Sequence, residues 1–207
     1  MNYDALIFDI DGTLWNASEA SARGWTAGLK ALGIDRRITG DEIASVAGKP
    51  YESCVDILLP GLRPGLPELV KTLQAHEEVA VRELGGDFYP GAVDGVRELS
   101  NRYRVFLVSN CQVWYLERFL EFSGLRNVIT GSDCYGRTGA TKGEMLCNMR
   151  DDHTLKNPVY IGDTDGDRDA AREAGMEFIH VAWGFGGEDG SRSVASFREL
   201  MTNSNES

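Results

Sequence analysis

The sequence predicts an α/β fold in which a parallel sheet is covered by helices on both faces. Three short apolar runs, at residues 6–8, 105–108 and 159–161, have the length and continuity of buried parallel strands. Segments with helical periodicity separate them, and this alternation is typical of parallel sheets. The 207 residues are enough for one such core and a modest insertion.

The first half of the chain predicts one strand followed by a helical block. The strand ends at about Phe8, and the stretch from 17 to 84 is mainly helical in pattern. Within it, residues 41–46 begin with acids, as helix starts prefer, residues 61–67 are a loop rich in Gly and Pro, and residues 69–81 resume the helical pattern. Near-helical spacing opens the block at Ala20, Trp25, Leu29 and Leu32.

The second half returns to alternating helices and strands after a hinge-like stretch at 85–91. We therefore expect residues 1–16 and 86–201 to form the α/β core and residues 17–85 to form an inserted all-helical domain. Residues 202–207 are polar and predict a disordered tail. The predicted helices lie near Val93, at 114–122, and near Lys142 and Arg168; the predicted strands lie near Val105, Val128, Val159 and Phe178.

Two aspartates, Asp9 and Asp11, follow the first strand directly and are the most informative feature of the chain. Ligands of open α/β sheets gather outside the carboxyl ends of the strands, so both acids lie where a site is expected. Alternation along an extended strand directs both side chains to the same side. Two carboxylates held together are unfavourable without a cation or a substrate group to use them. The alternative for an isolated Asp-x-Asp-Gly segment is a polar turn.

Three further segments carry chemically capable side chains. Ser109 and Asn110 follow the second strand, and Lys142 precedes an apolar helical stretch. The third strand ends in Gly-Asp-Thr-Asp-Gly-Asp at 162–167. Taken singly, these features are usually a helix cap, a surface charge and an acidic turn or calcium loop. Their occurrence together, and in this order, favours a catalytic site.

These segments resemble the signature motifs of the haloacid dehalogenase superfamily, in its phosphatase branch. The likeness runs from Leu6 to about Gly186 and includes Trp-Gly-Phe-Gly at 183–186, which is similar to phosphoglycolate-phosphatase-like members. It implies a Rossmann-like core with a small helical cap after the first strand. It also implies a phosphomonoesterase that acts on a small phosphorylated metabolite, with phosphoglycolate and sugar phosphates as the natural candidates.

Phosphoryl transfer needs in-line positioning, charge neutralisation and a nucleophile. Asp9 is the candidate nucleophile, because a carboxylate is already ionised at neutral pH and attacks phosphorus without a base, giving an aspartyl-phosphate. Asp11 is the candidate general acid and base. By resemblance, Mg²⁺ is held by the Asp9 carboxylate, the Asp11 backbone carbonyl and Asp163, with Asp167 binding directly or through water. Such hard oxygen ligands suit this ion.

The phosphoryl group is expected to contact Ser109 and Lys142, through one hydrogen bond and one point charge, with Asn110 as a further donor. Lys49 lies in a Gly-Lys-Pro loop where related caps offer a substrate-contacting loop, so it is a candidate substrate-binding residue. Asp165 is an extra acid in the last motif, and we expect it to face away from the site.

The charge balance argues against several partners. A net charge of -11 provides no basic footprint for nucleic acid or an anionic membrane, and no apolar run approaches membrane-spanning length. Nothing like a long exposed apolar stripe demands a dimer, which favours a monomer. Scattered cysteines without Cys-x-x-Cys spacing indicate reduced thiols in a cytoplasmic protein: Cys54, Cys111, Cys134 and Cys147.

Several alternative functions keep the same fold. A sugar phosphomutase retains both acids, so the motifs do not exclude it, although Thr13 after Gly12 is more typical of a phosphatase. A dehalogenase or phosphonate hydrolase is expected to lack the second acid, and the presence of Asp11 argues against both. A catalytically silent module that binds a phosphorylated ligand would often have lost a motif acid or the lysine, and none is missing here.

Overall fold

Six strands form a single parallel sheet in a computed structural model, which describes residues 3–187 and 192–203. The strands of the chain are β1 (Ala5–Phe8), β2 (Trp15–Asn16), β3 (Asp87–Phe88), β4 (Arg104–Ser109), β5 (Gly131–Cys134), β6 (Pro158–Gly162), β7 (Glu177–Val181) and β8 (Ser193–Val194). The sheet has the order β5-β4-β1-β6-β7-β8, and every pairing in it is parallel. The predicted α/β class is confirmed.

Helices pack on both faces of this sheet, and others form a separate block beside it. They are α1 (Ser18–Ala31), α2 (Gly40–Val46), α3 (Tyr51–Leu58), α4 (Leu69–Leu84), α5 (Ala92–Leu99), α6 (Val113–Ser123), α7 (Tyr135–Thr138), α8 (Lys142–Asp152), α9 (Asp165–Glu173) and α10 (Phe197–Asn203), with a 3-10 turn at Arg63–Gly65. Across the described ranges, no helix combines the length and apolar character needed to span a bilayer.

The core strands are apolar throughout because both faces of the sheet are buried. In β1, Leu6 and Phe8 belong to one apolar cluster, while Ala5 and Ile7 belong to the cluster on the opposite face. The same alternation occurs in β4. Successive side chains of a strand point to opposite faces of the sheet, so a strand that is buried on both faces has a continuous apolar run.

Helices α1 to α4 lie between β2 and β3, and we call them the helical insertion. They surround a separate apolar cluster that includes Trp25, Leu29, Val55 and Leu73. Strands β2 and β3 pair in antiparallel fashion, so the chain enters and leaves the insertion at adjacent positions. The division into core and cap at residues 17 and 85 stays a prediction.

Some elements differ from the expected positions. The strand expected near Val128 is β5, three residues later, because Val128 and Ile129 both donate backbone hydrogen bonds to Leu125 O in a turn. Helix α3 and the β2–β3 pair were not predicted. Helix α10 extends to Asn203, and residues 204–207 of the expected tail lie outside the described ranges.

Candidate active site

The candidate site lies at the carboxyl edge of the three central strands. Phe8 of β1 is paired with Leu107 of β4 and Ile161 of β6, so the three strands end close to the same level. Asp9 follows β1, Ser109 is the last residue of β4 and Asp163 follows β6, and all three are buried. Parallel register therefore gathers side chains that are about 50 to 150 positions apart in the sequence.

Three carboxylates form the centre of the site. Ligand oxygens of Asp9, Asp163 and Asp167 lie within 4.8 Å of one another, and each residue is at most 1% exposed. Neither oxygen of Asp9 has a hydrogen-bond partner of good geometry among the described residues. Buried polar atoms are almost always paired, so this arrangement fits a cation or a phosphoryl group better than an empty space.

Gly12 makes the tight turn after Asp11 possible. Its φ of +78° lies in the left-handed region that favours glycine, and a Cβ added there would lie 2.2 Å from Asp163 Oδ2. The turn is closed by hydrogen bonds from the backbone amides of Thr13, Leu14 and Trp15 to Ile10 O. Gly12 thus permits the first acidic loop to approach the last one.

Lys142 provides the positive charge at the centre. It lies at the start of α8, where the capping box of Thr141 and Glu144 fixes the helix N-terminus. Its Nζ lies 2.6 Å from Asp167 Oδ1 and 3.2 Å from Asp9 Oδ2. Burial alone lowers the pKa of Lys142, but these carboxylates raise it above its usual value, so the side chain is charged.

Asp167 is held by five donors. Lys142 Nζ and Tyr160 OH donate to Oδ1, and Asp163 N, Thr164 N and Thr164 Oγ1 donate to Oδ2. Burial acts to raise the pKa of Asp167, but Lys142 and the Thr164 donors hold it below the usual value. With both oxygens so engaged, contact of Asp167 with a metal through water is favoured over direct ligation.

Asp163 is oriented by the loop after β7. Phe185 N and Gly186 N lie 2.7 Å and 3.3 Å from its Oδ2, and Thr13 Oγ1 donates to Oδ1 over 3.2 Å. Burial and the charge of Asp167 nevertheless raise the pKa of Asp163 to about 6. The Trp-Gly-Phe-Gly segment at 183–186 therefore donates backbone hydrogen bonds directly to one carboxylate of the acidic centre.

Asp9 and Asp11 have different surroundings. Burial raises the pKa of Asp9 well above its usual value, against the opposing effect of Lys142. Asp11 is less buried, and its Oδ1 accepts a hydrogen bond from Tyr115 OH of α6. Burial raises the pKa of Asp11 to about 7, although the Tyr115 hydrogen bond acts to lower it. A carboxyl group with this pKa can exchange a proton near neutral pH.

The other predicted residues surround these acids. Ser109 is buried at the end of β4, next to the centre. Asn110 is turned towards the helical insertion, and its Nδ2 donates to Gly48 O over 2.8 Å. Its Oδ1 is buried and has no partner within the described ranges. Lys49 is exposed on the same loop, and Asp165 pairs with Arg168 over 3.0 Å with 74% of its side chain exposed, away from the centre.

A cavity of about 90 Å³ lies between Asp11, at the edge of the acidic centre, and the helical insertion. Each bound water needs about 10–15 Å³ on this measure, so the cavity has room for a small leaving group. Asp11, Ser109 and Asn110 line its core side, and Lys49 and Glu77 line its insertion side. Trp25, Tyr51, Trp114 and Tyr115 contribute aromatic surface to the wall.

Sequence reasoning missed three polar contacts of the site. Tyr160 looked like one more apolar strand residue, yet its hydroxyl reaches Asp167 and Val108 O. Tyr115 lies among the apolar residues of α6, and this pattern did not indicate that its hydroxyl contacts Asp11. Glu77 had a detectable signal, because it occupies the buried stripe of α4 at four-residue spacing between Leu73 and Val81.

Comparison with known proteins places the chain in a family. The family model described as haloacid dehalogenase-like hydrolase matches residues 6–181. Because this match covers most of the chain, the protein belongs to the haloacid dehalogenase-like hydrolases. The predicted family and the predicted enzyme class, a phosphatase-type hydrolase of this family, are confirmed.

Relatives and solved structures agree with this assignment. The chain is 27% identical over 86% of its length to a protein of Dickeya dadantii named "Probable phosphatase IndB", 81% of which is covered. It is 26% identical over 87% of its length to a phosphoglycolate phosphatase of Synechococcus elongatus, 84% of which is covered. A haloacid dehalogenase-like hydrolase from Streptococcus pneumoniae superposes with a TM-score of 0.84 at 21% identity, over 97% of this chain and 98% of that one.

Proposed function

We propose that the protein is a Mg²⁺-dependent phosphomonoesterase that acts on a small phosphorylated metabolite through an aspartyl-phosphate. The observation that carries the proposal is Asp9, a buried carboxylate without hydrogen-bond partners in the described chain, beside the charged Lys142. Asp11, with a pKa of about 7, stands two residues away. A nucleophile, a positive charge and an acid–base group are the parts that phosphoryl transfer requires.

The first half-reaction joins Asp9 to phosphorus. A carboxylate oxygen of Asp9 attacks the phosphorus atom, the bond from phosphorus to the ester oxygen breaks, and Asp11 gives its proton to the leaving alkoxide. In the second half-reaction a water oxygen attacks the same phosphorus atom and passes one proton to Asp11. The bond between Asp9 and phosphorus then breaks, which releases phosphate and restores both carboxyl groups.

The acidic cluster fits a hard divalent cation. Asp9, Asp163 and the backbone carbonyl of Asp11 would hold Mg²⁺, with Asp167 contributing through water. The bound ion would neutralise negative charge on the nucleophile and the phosphoryl group. The Asp9 oxygens have no hydrogen-bond partner among the described residues, which supports this ligand set, and the five donors on Asp167 support its indirect role.

The remaining residues position the phosphoryl group and the substrate. Ser109 would donate a hydrogen bond from its hydroxyl group to a phosphoryl oxygen, and Lys142 would offset the negative charge of the phosphoryl group and Asp9. Asn110 would contribute from the insertion side, where its amide already contacts Gly48. Lys49 would meet the substrate at the exposed rim of the cavity, and the helical insertion would act as a cap that excludes water.

The relatives' names make phosphoglycolate the first substrate to test. Sugar phosphates come next, because the resemblance of the motifs implies them. We also propose that the enzyme works in the cytoplasm, since all four cysteines are free thiols. A sugar phosphomutase and a silent phospholigand-binding module are the alternatives that the experiment below separates from a phosphatase.

The test is phosphate release from a panel of small phosphate esters, with Mg²⁺ and with EDTA. We expect release that requires the metal and that is lost in Asp9→Asn. Asp165→Asn is the matched control, because Asp165 belongs to the same acidic segment as Asp163 but is exposed. Isomerisation of a sugar phosphate without net release would identify a phosphomutase, and binding without any turnover would identify a silent module. Full activity of Asp9→Asn would exclude Asp9 as the nucleophile.

A further inference from the structure

The far wall of the cavity carries a buried acid that the reaction does not use. Glu77 is 6% exposed, and its Oε2 accepts hydrogen bonds from Trp25 Nε1 over 2.8 Å and from Tyr51 OH over 2.7 Å. Ser21 also hydrogen-bonds this carboxyl group. Burial raises the pKa of Glu77, and these three donors act in the opposite direction by stabilising its ionised form.

Glu77 faces the reaction centre across the cavity. It is close enough for its charge to contribute to the raised pKa of Asp11, and both residues line the same space. The leaving group of a phosphate ester bound at Asp9 would lie in this cavity, which Asp11 and Ser109 line on the core side. Its distal end would then lie near the carboxyl group of Glu77.

Hydrogen-bond donors of the wall are largely committed to protein acceptors. Tyr51 OH donates to Glu77, Tyr115 OH to Asp11, and Ser18 Oγ to Asn16 Oδ1. The groups that remain for a ligand at these positions are therefore oxygen lone pairs. At these three positions a ligand that brings its own donors is complementary to the wall, whereas a ligand that brings only acceptors is not.

Asn110 adds a free acceptor. Its Nδ2 donates to Gly48 O, which fixes the orientation of the amide. The opposite atom, Oδ1, is buried without a partner in the part of the chain that the structure describes. Among the described residues, Trp114 Nε1 is a buried donor on the same wall without a partner, so the wall can donate one hydrogen bond to a ligand oxygen, such as an ester or phosphoryl oxygen.

Positive charge on the wall is confined to the rim. Of the described residues that line the cavity, Lys49 is the one cation, and it is exposed. The interior instead combines Glu77 with the rings of Tyr51 and Trp114, and aromatic surface beside an acid attracts cations. A carboxylate at the distal end of the leaving group, as in phosphoglycolate, would meet like charge there.

We propose that the preferred substrates are phosphate esters of small amino alcohols, whose ammonium group binds against Glu77 and the aromatic wall. This inference rests on the proposed phosphomonoesterase activity and names the leaving group on which that site acts. It differs from the phosphoglycolate specificity that the names of several relatives carry.

The test compares esters that differ in the distal group. Phosphoethanolamine, 2-hydroxyethyl phosphate and phosphoglycolate present an ammonium, a hydroxyl and a carboxylate on a two-carbon leaving group, and 3-aminopropyl phosphate extends the ammonium by one methylene. We expect kcat/KM to be at least about tenfold higher for an ammonium ester than for phosphoglycolate, as a desolvated cation beside an acid and aromatic rings implies. p-Nitrophenyl phosphate reports phosphatase activity independently of this preference.

Glu77→Gln is the informative variant, because the amide oxygen can keep the bonds from Trp25 and Tyr51 while the negative charge is lost. We expect it to lower the ratio of ammonium to neutral ester by about tenfold. Glu78→Gln is the matched control: it removes the same charge from the next residue of α4, which is not among the residues lining the cavity. A purely structural role of Glu77 would alter stability and overall rate but leave that ratio unchanged.

The outcomes separate the two proposals. Turnover of p-nitrophenyl phosphate with phosphoglycolate or the hydroxyl ester as the best substrate would overturn the amino-alcohol inference and leave the phosphatase proposal intact. An ammonium preference that Glu77→Gln does not change would also overturn it. Absence of turnover with every ester would overturn the phosphatase proposal and this inference with it. If Glu77→Gln does not fold, the ranking of substrates by the unmodified protein decides.

Discussion

Replacement of Lys142 with methionine would remove the only positive side chain that contacts the carboxylate cluster among the described residues. Its Nζ lies 2.6 Å from Asp167 and 3.2 Å from Asp9. With an effective dielectric constant of about 20, these distances correspond to attractions of about 6 and about 5 kcal/mol. Desolvation of the buried ammonium and carboxylates offsets a large part of this sum.

Breaking a buried ion pair typically lowers the free energy of unfolding of a protein by about 3–5 kcal/mol, because the remaining charge stays buried without a partner. We expect a loss of this size in the free energy of unfolding, measured by urea denaturation in EDTA. For a chain of this length it corresponds to a fall in Tm of roughly 6–20 °C. We also expect kcat to fall at least about 100-fold, as when a charge-stabilising donor is removed from an active site.

Two controls make this prediction specific. Lys71→Met removes a lysine whose side chain is 85% exposed, and its effect on stability is expected to stay below about 1 kcal/mol. Addition of Asp167→Asn to Lys142→Met should recover part of the lost stability, because one unpaired carboxylate disappears. A loss below about 1 kcal/mol in Lys142→Met itself would refute the electrostatic account of the site.

Two further predictions concern protons at the site. Tyr115→Phe removes the hydrogen bond that lowers the pKa of Asp11. The limb of the pH–rate profile that belongs to Asp11 should therefore move to higher pH by roughly one to two units. An unchanged profile would contradict this. In EDTA, burial raises the pKa of Asp11 to about 7 and that of Asp163 to about 6 in the folded protein, above the usual value of an aspartate, about 3.8. The contribution of these two groups to stability is therefore present below about pH 4 and is lost as the pH rises towards 7. Urea denaturation in EDTA should therefore give a lower free energy of unfolding at about pH 7.5 than at about pH 5. Mg²⁺ should stabilise the protein most at the higher pH. A free energy of unfolding in EDTA that rises over this range would contradict the raised pKa values of Asp11 and Asp163.

The sequence was most informative where strands end. Three apolar runs each end in polar, chemically capable residues, and this coincidence predicted that Asp9, Ser109 and Asp163 lie together. Parallel strands run in the same direction, so their carboxyl ends, and the residues at those ends, lie at the same edge of the sheet. The position of β5 was harder, since the apolar residues near Val128 pack against the core from a turn rather than from a strand.

Contacts between distant side chains were not accessible from pattern. Nothing in the local sequence of Tyr115 distinguishes a hydroxyl that reaches Asp11 from one that faces solvent, because the helix position depends on how α6 packs. The same holds for Asn110, whose amide contacts the helical insertion. Glu77 is different: a single acid in the apolar stripe of α4 is a visible anomaly, and anomalies of this kind mark functional or strained positions.

The pairing of β2 with β3 has a consequence for how this fold changes over time. Trp15 is paired with Phe88 and Asn16 with Asp87, so the two ends of the helical insertion leave the core side by side. Closing a longer or shorter segment between fixed neighbouring ends changes the chain entropy only slightly, by about 0.6 kcal/mol per doubling of length. The core can therefore accept a different insertion at this point almost without penalty, and new substrate preferences can arise by exchange of that segment while the carboxylates and Lys142 stay in place.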